Sequence, residues 1–331
     1  MHFKAVEAHL MGSGCLPVNL KVIVEGEEEV GGKHLEEFVR GNKQLLAAEA
    51  AVISDTAMFD RGVPSICCGT RGLSYFQIEL RGTATDLHSG SFGGVVANPG
   101  FVLAQILAKM KGEDGYIAIP GFYRNVRPIS AEERMDFERL PFDSERYREE
   151  LGAPQLFGEA GFTALERLWA RPTFDVNGLS AGFTGVGLKT VIPAVAMAKV
   201  SMRLVPDQDP SEVEGLFESY LNEIAPNTVD VRITLRHGAK PWAADVTHPF
   251  MRAAMRAMQL GFGAQPVFAR EGGSNPILAT FEDVLGLPII MFGVGLPDDN
   301  THAANEKLDL SNFHNGVVAA AHLYDEIGKT R

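Results

Sequence analysis

The apolar residues of this chain follow two different periodicities, and the change between them constrains the fold more than any other feature. Before about residue 70, the short apolar runs 50–53 and 64–68 are separated from an alternating segment, 18–24, by a helical pattern at 33–46. Alternation with period two predicts a strand. Strands that alternate with helices are typical of an α/β layer with a largely parallel sheet.

The middle of the chain has a different pattern. Residues 75–80, 198–204 and 229–235 alternate between apolar and polar, as half-buried antiparallel strands do. A helix is predicted at 210–225, because Asp209-Pro210 combines an N-cap residue with proline at the first helical position. Another helix is predicted at 99–111. This segment therefore indicates an α+β domain.

The first pattern returns near the end of the chain. A helix is predicted from His248-Pro249, a buried strand at 287–292 and an amphipathic helix at 310–327. We therefore expect one α/β domain, with a mostly parallel sheet between helices, formed by residues 1–70 and 244–331. The α+β domain, residues 71–243, is inserted into it.

Composition excludes several classes of function. The net charge of −12 argues against nucleic acid or an anionic membrane surface as a partner, because both attract clustered Lys and Arg. The sequence contains no run of about 18 apolar residues, the length that a transmembrane helix requires. Its N-terminal residues also lack the apolar run of a secretion signal. We expect a cytoplasmic protein in which Cys15, Cys67 and Cys68 remain reduced.

Carboxylates and a histidine follow several of the predicted strands. Glu28 and Glu29 come after the segment at 18–24, Asp55 follows the run at 50–53, and His302 lies in a loop after the strand at 287–292. Ligands bind at the carboxyl ends of strands in such sheets, and carboxylate and imidazole groups are metal ligands. Taken singly, these residues also fit a solvated acidic turn, a helix cap and a surface histidine.

Two glycine-rich segments carry further polar side chains. His88 lies in Asp-Leu-His-Ser-Gly-Ser-Phe-Gly-Gly, where the backbone can approach a ligand closely. Arg270 begins Arg-Glu-Gly-Gly-Ser-Asn-Pro, which includes Ser274 and is typical of an anion pocket. A flexible turn and an ordinary loop are the alternative interpretations of these segments.

Together, the segments resemble the aminoacylase-like family of two-zinc metallopeptidases, specifically its cytosolic non-specific dipeptidase and carnosinase branch. The resemblance follows the chain in order, in the segments 25–31, 53–55, 86–94, 189–193, 203–206, 237–242, 270–274 and 302–307. It implies a phosphorylase/hydrolase-like catalytic domain with an inserted lid domain, through which the family forms homodimers.

The resemblance also implies roles for individual residues. Glu28 would be the general base, Glu29 and His302 ligands of one divalent ion and Asp55 a ligand of a second, the ions being Zn²⁺ or Mn²⁺. The substrate is expected to be a small peptide or aminoacyl compound. Its terminal groups would be held by Thr190, Arg203, His237 and Ser274, with Arg270 beside them. His88, from the lid of a second subunit, would help to stabilise the oxyanion.

One departure from the family concerns its first metal-binding strand, which carries His-x-Asp. None of the nine histidines here is followed two residues later by Asp. We therefore expect that about the first quarter of the family's length is missing and that the metal site is incomplete.

The expected activity is metal-dependent hydrolysis of dipeptides or related aminoacyl amides. The alternatives are an N-acyl amino acid deacylase, a carboxypeptidase, or a non-catalytic remnant that serves as a dimerisation or binding module.

Overall fold

The structure, a computed structural model, describes residues 1–30 and 32–330. The α-helices are α1 (His2–Ser13), α2 (Lys33–Gly41), α3 (Lys43–Leu46), α4 (Ser89–Phe92), α5 (Pro99–Met110), α6 (Ala131–Glu138), α7 (Ser144–Glu150), α8 (Ala164–Trp169), α9 (Pro210–Ile224), α10 (Pro249–Phe262), α11 (Pro276–Leu285) and α12 (Leu310–Gly328). The strands are β1 (Ala51–Ile53), β2 (Ser65–Thr70), β3 (Gly72–Arg81), β4 (Leu87–His88), β5 (Thr173–Ala181), β6 (Val191–Ile192), β7 (Val195–Leu204), β8 (Asp230–Ala239), β9 (Trp242–Ala243), β10 (Val267–Glu271) and β11 (Ile289–Met291).

Contacts divide the chain into two compact units. The first unit comprises Met1–Thr70, Trp242–Glu271 and Asn275–Arg331, and the second comprises Arg71–Pro241 and Gly272–Ser274. Each unit has its own buried apolar core, as expected for a chain of this length. None of the described helices has the length and apolar character needed to cross a membrane.

The sheet of the first unit has the strand order β1-β11-β2-β10, with β9 also paired to β2. Its two longer pairings, β1 with β11 and β10 with β2, are parallel, while β2 meets β11 and β9 in short antiparallel pairings. All residues of β2 and β11 are buried, which explains why they appear as uninterrupted apolar runs rather than alternating ones. The expected parallel-rich layer is confirmed in the longer pairings.

The predicted strand at 18–24 is wrong, because these residues form no strand. Val22 is 55% exposed and Val24 82% exposed. Alternation leads to a strand only where a neighbouring strand supplies hydrogen bonds and a surface to pack on, and no described strand pairs with this segment. Glu28 and Glu29 therefore lie on a 3₁₀ turn, Glu28–Val30, rather than directly after a strand.

The second unit contains an antiparallel sheet with the order β5-β7-β3-β8. Alternate residues of β3 are buried, and its inner face packs with α5 and α9 around Phe76, Leu103 and Phe217. The rings of Phe76 and Phe217 stack with their centroids 4.4 Å apart. The predicted antiparallel strands at 75–80 and 229–235 are confirmed. Strand β5, which the sequence pattern did not indicate, forms one edge of this sheet.

Candidate active site

Four residues of the first unit form what we call the acidic cluster: Glu28, Glu29, Asp55 and His302. The turn that carries the two glutamates is closed by a hydrogen bond from the Gly32 amide to the Glu27 carbonyl, 2.8 Å long. His302 lies in the loop between β11 and α12, where its φ of 62° places a non-glycine residue in the left-handed region. The sequence therefore positions these side chains on turns and loops rather than within strands.

The Asp55 segment lies against the chain that leaves β11. The Phe292 amide donates to the Ile53 carbonyl at 2.8 Å. At Gly293, an added Cβ would meet the Thr56 carbonyl oxygen at 1.8 Å. Only glycine permits this approach without a shift of the backbone, so Gly293 helps to set the position of the loop that carries Asp55.

The structure brings Glu29 and His302 together. The Nε2 atom of His302 is 3.0 Å from each carboxylate oxygen of Glu29, although both side chains are largely exposed. This carboxylate raises the pKa of His302, mainly through the hydrogen bond and then through its charge. The predicted association of these two residues, which are 273 positions apart in the chain, is therefore present in the fold.

The other carboxylates of the cluster repel one another electrostatically. Partial burial raises the pKa of Glu28, and the charges of Asp55, Glu29 and Glu25 raise it further. Burial, followed by the charge of Glu29, raises the pKa of Asp55. The charge of His302 acts in the opposite direction on the pKa of both Glu28 and Asp55. Like-charged groups at short range disfavour each other's ionised forms, and a divalent cation would relieve this repulsion.

A further acidic residue of the first unit, Glu271, was not predicted from the sequence. Burial raises the pKa of Glu271 to about 7, with a further contribution from Asp55, while a hydrogen bond with the Ala57 backbone acts in the opposite direction. Its position immediately after Arg270 in the glycine-rich segment was the available signal. Arg270 itself lies on β10 of this unit, whereas Ser274 belongs to the second unit.

The acidic cluster has the ligand types that metal ions prefer, but only part of the arrangement that a metal site needs. Carboxylate and imidazole groups are the ligands that zinc prefers, and Glu29 and His302 are already adjacent. Within residues 1–30 and 32–330, however, no group of three His, Cys, Asp or Glu side chains is placed to hold an ion. Among the described residues, the groups available to a metal ion are therefore the adjacent pair Glu29 and His302 and the separate carboxylate of Asp55.

In the second unit, His88 and Thr190 are brought together by the pairing of β4 with β6. The Gly90 amide donates to His88 Nδ1 at 3.1 Å, and Thr190 Oγ1 is 3.2 Å from His88 Nε2. Since Nδ1 accepts a hydrogen bond, the neutral ring carries its proton on Nε2. His88 is therefore prepared to donate a hydrogen bond from Nε2.

Arg203 and Ser274 also meet in the second unit. Arg203 Nη1 donates to Ser274 Oγ at 2.9 Å. Burial lowers the pKa of Arg203, and Asp175 opposes this shift. Arg71, a residue that the sequence did not single out, is buried beside them and its charge interacts with that of Arg203. We call Arg71, Arg203 and Ser274 the arginine cluster.

His237 occupies a separate position in the same sheet. It lies on β8 opposite Tyr75 of β3 and is exposed, whereas Arg203 lies on β7 opposite Leu73. The structure thus brings together Arg203 and Ser274, both predicted to bind substrate, and places Thr190, also predicted to bind substrate, beside His88, which is predicted to stabilise the oxyanion.

Comparison with known proteins supports the resemblance. Residues 68–229 match the model of a peptidase dimerisation domain. The chain is 34% identical over 321 residues to the Beta-Ala-His dipeptidase of Rattus norvegicus, an alignment that covers 95% of this chain and 65% of that relative. The chain thus spans just under two thirds of the length of this curated relative.

Two solved structures are similar along nearly the whole chain. The di-peptidase Dug1p from Saccharomyces cerevisiae has a TM-score of 0.82 and 32% identity, covering 98% of this chain and 69% of that one. The M20 family metallo-carboxypeptidase Sso-CP2 from Sulfolobus solfataricus has a TM-score of 0.87 and 29% identity, covering 98% and 75%. Because the alignment with Dug1p, at 32% identity, covers more than two thirds of that relative's length, this chain belongs to the M20 family of metallopeptidases.

Proposed function

We propose that this protein hydrolyses dipeptides or related aminoacyl amides in a metal-dependent reaction, with Glu28 as the general base. The observation that carries the proposal is the pairing of Glu29 with His302 at 3.0 Å, beside a second carboxylate, Glu28, whose pKa is raised. The similarity to dipeptidases over almost the whole chain supports the same reaction class.

In this reaction, Glu29 and His302 would hold one divalent ion, Zn²⁺ or Mn²⁺, and Asp55 would contribute to a second. Such ions would supply Lewis acidity, which makes a water molecule easier to deprotonate. Glu28 accepts a proton from the water and passes it to the leaving amine. Its raised pKa brings it closer to the pH at which it must exchange that proton, which favours general acid–base catalysis.

The second unit supplies groups suited to recognising a peptide. Arg203 and Ser274 offer a guanidinium and a hydroxyl for a terminal carboxylate, and we assign Thr190 and His237, with Arg270 of the first unit, to the substrate's other polar groups. The Nε2–H of His88 is suited to an oxyanion. We further propose a homodimer through residues 71–243, since the match to a peptidase dimerisation domain, residues 68–229, covers most of this range.

Carboxypeptidase activity is the second candidate. The structural similarity to Sso-CP2, a metallo-carboxypeptidase, is as extensive as that to the dipeptidase structure. A panel of free dipeptides, longer peptides and N-acetyl amino acids, assayed with added Zn²⁺ or Mn²⁺, distinguishes dipeptidase, carboxypeptidase and deacylase activities. Preferential cleavage of free dipeptides is the expected result.

The decisive experiment is Glu28→Gln, assayed together with metal content. We expect kcat to fall by about 10²- to 10⁴-fold, because the substitution removes a proton carrier, while bound metal is retained. Glu27→Gln is the matched control, since Glu27 lies on the same turn but hydrogen-bonds to His34 at 2.6 Å; it should remain within about twofold of the unmodified protein. A near-normal kcat for Glu28→Gln shows that the base lies elsewhere.

A further inference from the structure

Arg71 is a buried cation whose hydrogen bonds reach a segment about two hundred residues away. Its Nε donates to the Gly272 carbonyl at 3.0 Å, and its backbone amide donates to the Gly273 carbonyl at 3.1 Å. Only 9% of the residue is exposed. Both hydrogen bonds end on the two residues that precede Ser274, so Arg71 constrains the backbone from which the Ser274 hydroxyl projects.

The glycine at position 272 allows this close approach. An added Cβ there would meet Arg71 Nη2 at 2.8 Å, whereas one at Gly273 would meet nothing within 4 Å. Ser274 Oγ, immediately beyond, accepts the hydrogen bond from Arg203. A continuous chain of contacts therefore runs from Arg71 through the Gly272–Ser274 backbone to the Arg203 guanidinium.

The charges around this chain of contacts are mainly positive. Burial, and then the charge of Arg203, lowers the pKa of Arg71 to about 10. Asp175 is the acid that interacts with both arginines, but its side chain is 57% exposed and also lies 3.8 Å from Lys111 Nζ. Burying a guanidinium beside another cation is costly unless an anion is recognised there.

We infer that Arg71 is a positioning residue for the terminal carboxylate of a peptide substrate, acting through the Gly272–Ser274 backbone and its own charge. This inference rests on the proposed function, because it takes Arg203 and Ser274 as the groups that contact the carboxylate. Arg71 does not itself touch the substrate. It fixes the Ser274 hydroxyl relative to Arg203 and makes the site selective for a free carboxylate over an uncharged amide.

The test compares the dipeptide alanyl-glycine with its C-terminal amide. In Arg71→Met, we expect KM for the dipeptide to rise at least about tenfold, with a smaller change in kcat and little change for the amide. The KM of Arg71→Lys for the dipeptide should lie between the values for Arg71→Met and the unmodified protein, because lysine keeps the charge but loses the planar fork of donors. Arg81→Met, at the exposed far end of β3, is the control. Equal losses for dipeptide and amide show a merely structural role and overturn the inference.

A second measurement separates this inference from the proposed reaction. Binding of the same two peptides is measured by calorimetry in the presence of a chelator, where no turnover occurs. Loss of the dipeptide-over-amide preference in Arg71→Met supports the inference even if the protein hydrolyses neither peptide. An unchanged preference in that variant, or the lack of a preference in the unmodified protein, overturns it.

If Arg71→Met does not fold, Gly272→Ala tests the same contact. Its new methyl group must displace the Arg71 guanidinium from 2.8 Å, while Gly273→Ala adds the same methyl group in open space. We expect the preference for dipeptide over amide to fall in Gly272→Ala and to persist in Gly273→Ala. Equal preferences in the two variants contradict the inference.

Discussion

The acidic cluster of the first unit and the arginine cluster of the second unit are organised in different ways. Glu29 and His302 meet through exposed side chains on a turn and a loop, and burial together with neighbouring negative charges raises the pKa values of Glu28 and Asp55. Arg71 and Arg203, by contrast, are attached to a packed sheet and held by hydrogen bonds to backbone and hydroxyl groups. The arginine cluster is thus fixed by the protein's own packing, whereas the acidic cluster brings exposed, mutually repelling carboxylates together.

The largest expected effect comes from the core beneath the arginine cluster. Phe217 is fully buried and stacks on Phe76 of β3, the strand that pairs with the Arg203 strand. Phe217→Ala should lower the free energy of unfolding by about 3–5 kcal/mol, because it removes buried contacts and leaves a cavity. This loss is measured from the unfolding transition of the second unit in urea.

Phe101→Ala is the matched control for that prediction. Phe101 is on α5 of the same unit but is 67% exposed, so its loss should change the free energy of unfolding by no more than about 0.5 kcal/mol. Comparable losses in the two variants contradict the view that this core organises the sheet.

The next effect concerns metal and the acidic cluster. With Zn²⁺ at about 100 times its Kd, the free energy of unfolding should rise by about 2.7 kcal/mol, because the ion binds the folded state. His302→Ala should lose most of this increase. Thermal or urea unfolding with and without Zn²⁺, after removal of metal with a chelator, provides the measurement.

The chain offers a close control for the metal experiment. His34 hydrogen-bonds to Glu27 at 2.6 Å and is as exposed as His302, so the two histidine–glutamate pairs are chemically alike. His34→Ala should keep the stabilisation by Zn²⁺. If both variants keep it, His302 is not a ligand of the stabilising ion.

A pH dependence in the metal-free protein has the smallest expected effect when it is expressed per pH unit. Burial raises the pKa of Glu271 from 4.5 to about 7, so between these values the folded state binds more protons than the unfolded state. The free energy of unfolding therefore falls as pH rises through this window, by no more than about 1.4 kcal/mol per pH unit for this one group. Glu271→Gln should flatten the slope in urea denaturation between pH 4.5 and 7.

Asp245→Asn controls for the removal of an acid. Hydrogen bonds with Thr247 lower the pKa of the exposed Asp245 below its ordinary value of 3.8. Its contribution to the free energy of unfolding is therefore present above that pH and is lost only below it. This variant should keep the slope that Glu271→Gln flattens. An unchanged slope in Glu271→Gln would show that its carboxyl group titrates alike in both states.

Local periodicity was sufficient to predict much of the fold. The helix α9 begins where Asp209-Pro210 indicated, since the Asp209 side chain accepts hydrogen bonds from the amides of Ser211 and Glu212. The alternation in β3 reflects burial of a single face, a pattern that is visible within the strand's own ten residues. Such elements are predictable because their own sequence supplies the signal.

Elements that depend on distant partners were predicted less well. Strand β5 contains Asp175, Asn177 and Gly178, which are poor strand formers, and becomes a strand through its pairing with β7. The segment at 18–24 shows the opposite case, a strand-like pattern without a described partner. In the same way, the motif segments indicated Glu29 and His302, but nothing near Arg71 in the sequence indicated its contact with Gly272.

The backbone of His302 is in the left-handed region, and this conformation has a cost in stability. Asn300, His302 and Asn305 all adopt positive φ within six positions. Asparagine and histidine are more common in this conformation than most residues, but any residue other than glycine carries a local conformational cost there, on the order of 1 kcal/mol. Selection for folding alone would therefore favour glycine at position 302. If His302 is the ligand that the proposed function requires, this conformational cost would be offset by a nitrogen atom held beside Glu29.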